Sequence, residues 1–576
     1  MSNKDFFWLE HYPEGVPKRV DIPDMPLFGF LENAAIKYPT NTAIIFMGLN
    51  MSYAQLKDTV DRFATALHSM GVKKGDRVAI MLPNCPQAVI AYYAVIRIGA
   101  VAVMTNPLYV ERELAHQMRD SGAETIIFLD ALHSKVLKVA PDTNIKRLIV
   151  TGIQDYLPFP LNCLYPFKAK KQGMNLDVPS NQGILRFKEL VKKNQPSPPP
   201  VAIDSANDLV LLQYTGGTTG LSKGAMLTHK NLVANAIQVK AWLTDCQEGG
   251  ERMLGALPFF HVFGMTVAMN FTILTGSTMI LLPRFEIETV LKQINKYKPT
   301  LFPGAPTMYV AVIAHPDVNK YDISSIKACI SGAAPLPVEV QEKFESLTGG
   351  KLVEGYGLTE SSPVTHCNPI HGKRVPGSIG QPFPNTNVKI MDSDMGTEEM
   401  PIGEVGELCI QGPQVMKGYW NMPEETARTI RDGWLYTGDM ARIAKDGFTY
   451  IVDRKKDMVI AGGYNIYPRE VEEVLYEHPK FREAVVAGIP DPYRGETLKA
   501  YCVINEGETV TEKEIMDFCK QNLAKYKVPR MIEFREDLPK TMVGKILRRV
   551  LVEEEQAKLQ HQEGPADEVA VTKEIK

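Results

Sequence analysis

The sequence predicts an α/β protein, with a large N-terminal region of doubly wound sheets plus a small β-barrel-like part, then a smaller α+β C-terminal domain. Three observations predict it. Helix-period and strand-period segments alternate through the first hundred residues, joined by short glycine-containing turns. Between 404 and 450 the pattern turns β-rich, with frequent glycine turns (GEVGELCIQGP, DGWLYTGD, KDGFTYIVD). After about residue 457 a shorter run mixes strands with two helical patterns. A chain of 576 residues is also too long for one core, so more than one domain is expected.

The elements follow in order. SYAQLKDTVDRFATALHSM (52–70) carries apolar residues at helical spacing, and glycines at 71 and 75 close it. DRVAIMLP reads as a buried strand. The pattern over 86–98 is a helix ending at Gly99, and AVAVMTNP is the next strand. Residues 155–200 break this rhythm. LPFPLNCLYPFKAKKQGM (157–174) mixes prolines, aromatics and lysines, and QPSPPP (195–200) reads as a stiff linker. The 157–174 stretch is either a surface insertion or a patch that rests on anionic lipid. DRKKDMVIAGG looks like a junction, and helical patterns follow at 468–477 and 511–523. The tail HQEGPADEVAVTKEIK is polar enough to be disordered. No internal repeat is visible.

Composition excludes several classes. With 44% hydrophobic and 23% charged residues the chain is ordinary globular material. Sixty-seven acidic against 64 basic residues leave no basic excess for a nucleic-acid partner. The N-terminus lacks the apolar core of a secretory signal. The longest apolar stretch, 265–283, is interrupted by Asn270, Gly276 and several threonines, so a buried helix and strand fit it better than a membrane span. Eight scattered cysteines without a C-x-x-C pair suit a reducing cytoplasm rather than a disulfide frame or zinc site.

The stretch YTGGTTGLSKG (214–224) concentrates glycine, threonine and one lysine. Glycines let backbone lie against a ligand, and N–H groups, hydroxyls and a positive charge suit phosphate. It is not a Walker A loop, because Lys223 is followed by Gly224 where a serine or threonine would hold magnesium, and it is not G-x-G-x-x-G. On its own the loop is either a phosphate cradle or a structural turn.

Further motifs decide between these. SGAAPLP (331–337), EGYGLTE (354–360), YTGD (436–439), DRKKDM (453–458) and PKTMVGKILRR (539–549) follow in that order. With the glycine-rich loop, they resemble the adenylate-forming superfamily of acyl-CoA synthetases, peptide-synthetase adenylation domains and luciferases, over about residues 32–552. The resemblance implies two steps: a carboxylate attacks the α-phosphate of ATP to give acyl-AMP and pyrophosphate, then a thiol, usually that of coenzyme A, displaces AMP. It implies an N-terminal adenylation domain over 1–453, a hinge at 454–456, a mobile C-terminal domain over 457–560 and a disordered tail over 561–576.

The same resemblance assigns roles. Thr215, Gly216, Gly217, Thr218, Thr219, Gly220 and Lys223 wrap the β- and γ-phosphates. Thr215 and Glu360 resemble the Mg2+ contacts, and both offer the hard oxygens that magnesium prefers. Tyr356, within Glu354, Gly355, Tyr356 and Gly357, offers a ring face to adenine, with thin backbone at Gly332, Ala333 and Ala334 on the other side. Thr359 bonds the α-phosphate. Asp439 takes the ribose hydroxyls and Arg454 is a second ribose contact. Lys545 is the catalytic lysine that bridges carboxylate and α-phosphate, and Lys456 sits at the hinge about which the small domain rotates between steps. After rotation Ala461, Gly462 and Gly463 line the way for the pantetheine arm.

LPFFHVFGM (257–265) resembles the acyl-site motif, with His261 as a gate or carboxylate neighbour. Around it Phe259, Phe260, Phe263, Met265, Gly304, Ala305 and Val364 are apolar or small, with no cation for a second carboxylate. The chain is most similar to bacterial long-chain fatty-acid–CoA ligases. Two departures stand out: Met265 occupies the place of a gating tryptophan found in some members, and Ile460 that of a lysine. Medium-chain and aryl acids of the coumarate or benzoate kind therefore remain the alternative. Too few residues follow Val552 for a carrier domain. A luciferase shares every motif, and a catalytically dead lipid-binding scaffold would lack reason to keep Lys545, Glu360 and Asp439. Partners implied are a fatty acid, ATP and coenzyme A, no nucleic acid, and contact with a membrane surface or a second copy of the chain.

Overall fold

The computed structural model describes residues 3–179, 183–215, 222–393, 396–461, 464–491, 495–541 and 544–562. The chain divides into two compact units. One holds the chain up to Lys389 with Cys409–Thr437 and Ile443–Tyr450; the other holds Ile390–Leu408, Gly438–Arg442 and the chain from Ile451 onward.

The first unit is doubly wound α/β. Its largest sheet has eight strands. Six run parallel, in the spatial order Leu209–Thr215, Val101–Met104, Arg77–Met81, Thr125–Leu129, Arg147–Thr151 and Leu185–Arg186. At one edge Lys223–Thr228 and then Gly418–Tyr419 add antiparallel. A second layer orders Arg252–Gly255, Thr278–Leu281, Thr42–Phe46 and Leu49–Ser52. Isolated bridges through Leu301 connect it to Ala328–Ser331, and Lys351–Gly357 and Val364–Cys367 follow. One core cluster joins both layers, with Ile80, Ala102 and Leu211 from the first and Ile44, Met253 and Met279 from the second.

Local chemistry sets the helices. Ser52 caps the Tyr53–Ser69 helix: its hydroxyl accepts from Gln55 N at 3.2 Å while Gln55 Oε1 accepts from Ser52 N at 2.9 Å. The Pro86–Arg97 helix is apolar all round and is buried at every position from Pro86 to Ile96, as such a helix must be. The 265–283 stretch becomes a buried helical segment with a π-helical turn over Gly264–Asn270, continuing through Phe271–Leu274, and then the strand Thr278–Leu281. No described helix is long and apolar enough to cross a membrane. All eight cysteines are free thiols.

The 157–174 segment folds as the helix Leu161–Lys171, with Pro166 inside it. The 195–200 linker runs beside the Tyr53–Ser69 helix, where Arg62 Nη1 donates to Asn194 O at 2.8 Å and Ser197 N to Thr65 Oγ1 at 3.2 Å. The β-rich part is a five-stranded sheet ordered Asn387–Met391, Gly406–Gln411, Trp434–Ile443 and Ile430–Arg431, with Thr449–Arg454 also paired to Trp434–Ile443.

The second unit is α+β. Tyr464–Ile466, Val459–Ala461, Gly495–Ile504 and Phe481–Asp491 form its sheet, and Met531–Phe534 adds parallel to Gly495–Ile504. Val471 and Leu475 of the Pro468–Tyr476 helix and Ile515 and Cys519 of the Glu512–Asn522 helix pack with Val459, Val486 and Ala500. The tail from 563 lies outside the described residues.

Candidate active site

The first group of candidate residues is built where the parallel sheet meets its antiparallel edge. Thr215 ends one strand and faces Lys223 across the ladder; Tyr214 faces Gly224. A Cβ on Gly224 would press on the Tyr214 ring at 3.1 Å, so glycine lets the two strands close. Residues 216–221, which include Gly216, Gly217, Thr218, Thr219 and Gly220, lie outside the described residues. Both flanks of that loop are pinned to one helix, Glu111–Ser121: Tyr214 Oη donates to Asp120 Oδ2 at 2.6 Å, and His116 Nε2 donates to Ser222 O at 3.1 Å.

Lys223 pairs with the Glu425 carboxylate, and its Nζ lies 5.3 Å from the centroid of the Tyr419 ring. Tyr419 Oη donates to Glu360 Oε1 at 2.6 Å. Burial, then the Glu360 charge, pushes the Tyr419 phenol well above its usual range, so it stays a neutral donor. The backbone holds this arrangement: Tyr419 pairs with Ala225, and Met416 N donates to Glu360 O at 2.8 Å. Lys223 and Glu360 are thus gathered around one phenol, and Thr215 stands opposite Lys223 in the ladder. A hydroxyl and a carboxylate there are a donor set that fits magnesium.

The next group sits at the ends of Ala328–Ser331 and Lys351–Gly357. A Cβ on Gly332 would meet the Phe263 ring at 2.9 Å, which places the 331–337 loop against the 257–265 segment. Ala333 holds a φ of +71°, a left-handed conformation that is uncommon outside glycine. The Glu354 carboxylate accepts from Leu336 N at 3.3 Å and so holds that loop from below. Gly355 pairs with Cys367, and Tyr356 pairs with His366, their rings edge to face at 5.8 Å. A Cβ on Gly357 would lie 2.2 Å from Pro363 O, a clash with rigid backbone. Thr359 opens the short turn Thr359–Ser361 that carries Glu360.

In the 257–265 segment Phe259, Phe260 and Met265 are buried and Phe263 partly so, and Val364 is buried as well. Asn84 clamps this segment: its side chain donates to Gly255 O at 3.0 Å and Leu257 O at 2.7 Å and accepts from Phe259 N at 2.8 Å. His261 stands in this apolar wall, and burial lowers its pKa to about 4, leaving a neutral imidazole.

The other unit gathers Asp439, Arg454, Lys456 and Lys545. Arg454 Nε lies 3.5 Å from Asp439 Oδ1. Glu407 braces the same turn, accepting from Gly438 N at 3.0 Å and pairing with Lys455 Nζ at 2.9 Å. Lys545 stands on a loop closed by its own backbone: Thr541 N donates to Lys545 O at 2.8 Å, and Leu547 N to Pro539 O at 2.8 Å. Burial lowers the Lys545 ammonium to about 8, and the nearby Arg454 charge adds to this, while Asp439 and Asp457 oppose it. Lys456 is lowered to about 8 by burial first, then by Arg454. Gly462 and Gly463 lie outside the described residues.

Residues 31–420 match the AMP-binding enzyme family, and residues 470–545 match the AMP-binding enzyme C-terminal domain. The chain belongs to the AMP-binding enzymes. This AMP-binding enzyme is 51% identical over 549 residues to a long-chain-fatty-acid–CoA ligase of Bacillus subtilis (strain 168), across 95% of this chain and 98% of that one. It is 40% identical to a long-chain-fatty-acid–CoA ligase of Yersinia pestis, across 95% and 98% of the two chains. Among solved structures it resembles ATP-bound MatB from Rhodopseudomonas palustris, with a TM-score of 0.81 and 30% identity, covering 92% of this chain and 99% of that one.

Sequence reasoning missed Tyr419, Glu425, Asn84 and Glu407, and gave Arg548, inside the 539–549 motif, no role. Tyr419 and Glu360 are 59 positions apart, and Lys223 and Glu425 are 202 apart, so only the fold joins them. The signal available was the dense polar–aromatic stretch MKGYW over 416–420.

Proposed function

We infer that this AMP-binding enzyme joins a long-chain fatty acid to coenzyme A with ATP, through an acyl-AMP intermediate, releasing pyrophosphate and AMP. The observation that carries this reading is the 51% identity to a long-chain-fatty-acid–CoA ligase across 95% of the chain. The apolar wall of Phe259, Phe260, Met265 and Val364, without a charged side chain among them, supports a hydrophobic monocarboxylic acid.

In the proposed first step a carboxylate oxygen attacks the α-phosphorus and pyrophosphate leaves. Two anions must approach each other, so cations and donors aimed at the phosphates lower the barrier. Lys223, with the 216–220 loop, meets the outer phosphates; Thr359 donates to the α-phosphate; the Tyr356 ring lies on adenine; Asp439 and Arg454 hold the ribose. Thr215 and Glu360 would hold Mg2+, which supplies charge neutralisation at the outer phosphates, and Tyr419 orients the Glu360 carboxylate. Lys545 acts as the ammonium between carboxylate and α-phosphate. With a pKa near 8 it is mostly charged at neutral pH, and anionic substrates raise that value further. In the second step the thiol sulfur of coenzyme A attacks the acyl carbon and AMP leaves, after a rotation about 454–456 that withdraws Lys545. His261, neutral in its apolar wall, gates the acyl path. A bilayer is the reservoir of such acids, so the reading includes work at a membrane surface.

ATP–pyrophosphate exchange across acids from acetate to oleate, with benzoate and coumarate, tests it. Exchange should peak at long chains. A peak at benzoate or coumarate overturns the substrate, and no exchange with any acid overturns the adenylation step.

A further inference from the structure

The helix Leu161–Lys171 sits at the surface with two unlike faces. Tyr165 and the buried Ala169 turn inward, and Leu157 and Tyr165 pack on the main core. The outward face carries Leu161 and Leu164, 43% and 55% exposed, and Phe167, 74% exposed; Phe159 just before the helix is 82% exposed. Pro158 lies beside Gly48, at the tip of the Thr42–Phe46 and Leu49–Ser52 hairpin, where Met47 is also exposed. Large side chains cluster here without cover, although isolated ones are ordinary. The C-terminal end of the same outward face carries Lys168, Lys170 and Lys171, all exposed and none in an ion pair among the described residues. Residues 157–174 contain no aspartate or glutamate.

We propose that the 157–174 segment seats the enzyme on an anionic bilayer, with Phe159, Leu161, Leu164 and Phe167 entering the interface and Lys168, Lys170 and Lys171 meeting lipid phosphates. Apolar side chains with lysines on the same face are the composition of a helix that lies in the headgroup plane. The lysine stems reach past the apolar level to the phosphates. A second copy fits less well: a two-fold contact sets the same patch against itself, lysines against lysines. One short helix also offers far less than the ~800 Å² per partner of a stable interface. The placement suits a substrate that partitions into membranes, and to that extent it rests on the proposed fatty-acid reading.

Co-sedimentation of the full chain with phosphatidylcholine vesicles, with and without phosphatidylglycerol, tests this without any need for catalysis. Binding is expected to anionic vesicles at low salt and to weaken at high salt. Reversing Lys168, Lys170 and Lys171 to glutamate should weaken it by roughly fivefold per charge or more. Phe159→Ser with Phe167→Ser should lower it at least tenfold at an unchanged Tm, since both rings already face solvent. No binding by the native chain, or equal binding by both variants, overturns the proposal. So does a native dimer that binds no vesicles and dissociates on Phe167→Ser, which assigns the face to a second copy. Vesicle binding with no exchange activity would leave the docking surface standing and remove only the catalytic reading.

Discussion

Arg548 Nη1 lies 2.7 Å from Asp457 Oδ2, and the same guanidinium reaches Glu472 Oε1 through Nη2 at 2.6 Å. Asp453 stands 3.8 Å away on the other side of the Arg454–Lys456 stretch. Its carboxylate also accepts from Arg454 N at 2.7 Å and Arg469 N at 2.8 Å, while Glu472 accepts from Val486 N at 2.7 Å. A single cation, three residues past Lys545, therefore ties the proposed hinge, the Pro468–Tyr476 helix and the Lys545 loop together. Burial pushes the Asp453 carboxyl up to about 6 even with Arg548 beside it.

Removing that cation should be costly. Arg548→Met leaves three carboxylates close together and partly desolvated, and should destabilise by about 3–5 kcal/mol. Urea denaturation read on the native enzyme and the variant measures it. Arg548→Lys should recover only part of this, because a point charge cannot reach Asp457 and Glu472 at once as a planar fork does. Full recovery by lysine would show that charge alone matters.

The depressed Lys545 pKa predicts a pH dependence. The folded protein disfavours the ammonium, so the free enzyme loses that proton as pH rises through about 8, while the unfolded chain keeps it to about 10.4. Lys545 therefore weighs against folding below pH 8, and that penalty is relieved between the two values. Adenylation kcat/KM should fall above about pH 8. The limb in kcat should lie higher, since bound anions favour the charged form. Lys545→Arg should flatten the limb. Lys545→Ala should lower acyl-AMP formation by a hundredfold or more and largely spare thioester formation from supplied acyl-AMP. Near-normal adenylation in Lys545→Ala removes the assigned role.

Lys456→Pro should separate the two steps. Proline restricts the dihedrals that a rotation must change. Adenylation, followed by pyrophosphate exchange, should persist within a few-fold. Thioester formation from supplied acyl-AMP should fall at least tenfold. Equal loss in both assays would argue against a hinge at this residue.

Tyr419→Phe deletes one hydroxyl and keeps the ring under Lys223. The lost donor served a charged acceptor, worth about 1.5–3 kcal/mol. KM for ATP should rise roughly tenfold or more, with a matching rise in the magnesium needed for half-maximal exchange. An unchanged magnesium dependence would mean that the phenol does not position Glu360.

Much of this was legible in the residues. The Tyr53–Ser69 and Pro86–Arg97 helices and the strand that follows each were readable because local period and closing glycines mark them. The 265–283 stretch was read as buried helix and strand because its polar interruptions rule out a span, and it is so. The motif residues were found by resemblance. Tyr419 and Asn84 were not, and Arg548 stood in a motif without a role, because each acts on partners brought near only by folding: Asn84 on Phe259, 175 positions away, and Arg548 on Asp457, 91 away.

The sequence by itself determined the α/β class and the alternation of elements, since these depend on periodicity, and its family resemblance named the residues proposed to meet phosphate, ribose and an apolar acid. Only the tertiary structure decided which of them share an environment. Desolvation and neighbouring charge, not residue identity, lower Lys545 and Lys456 to about 8 and keep His261 neutral. Burial on one side and water on the other are what turn LNCLYPFKAKK from a mixed string into a helix with an outward apolar and basic face. Dielectric surroundings and solvent exposure are properties of packing, and no stretch of chain carries them alone.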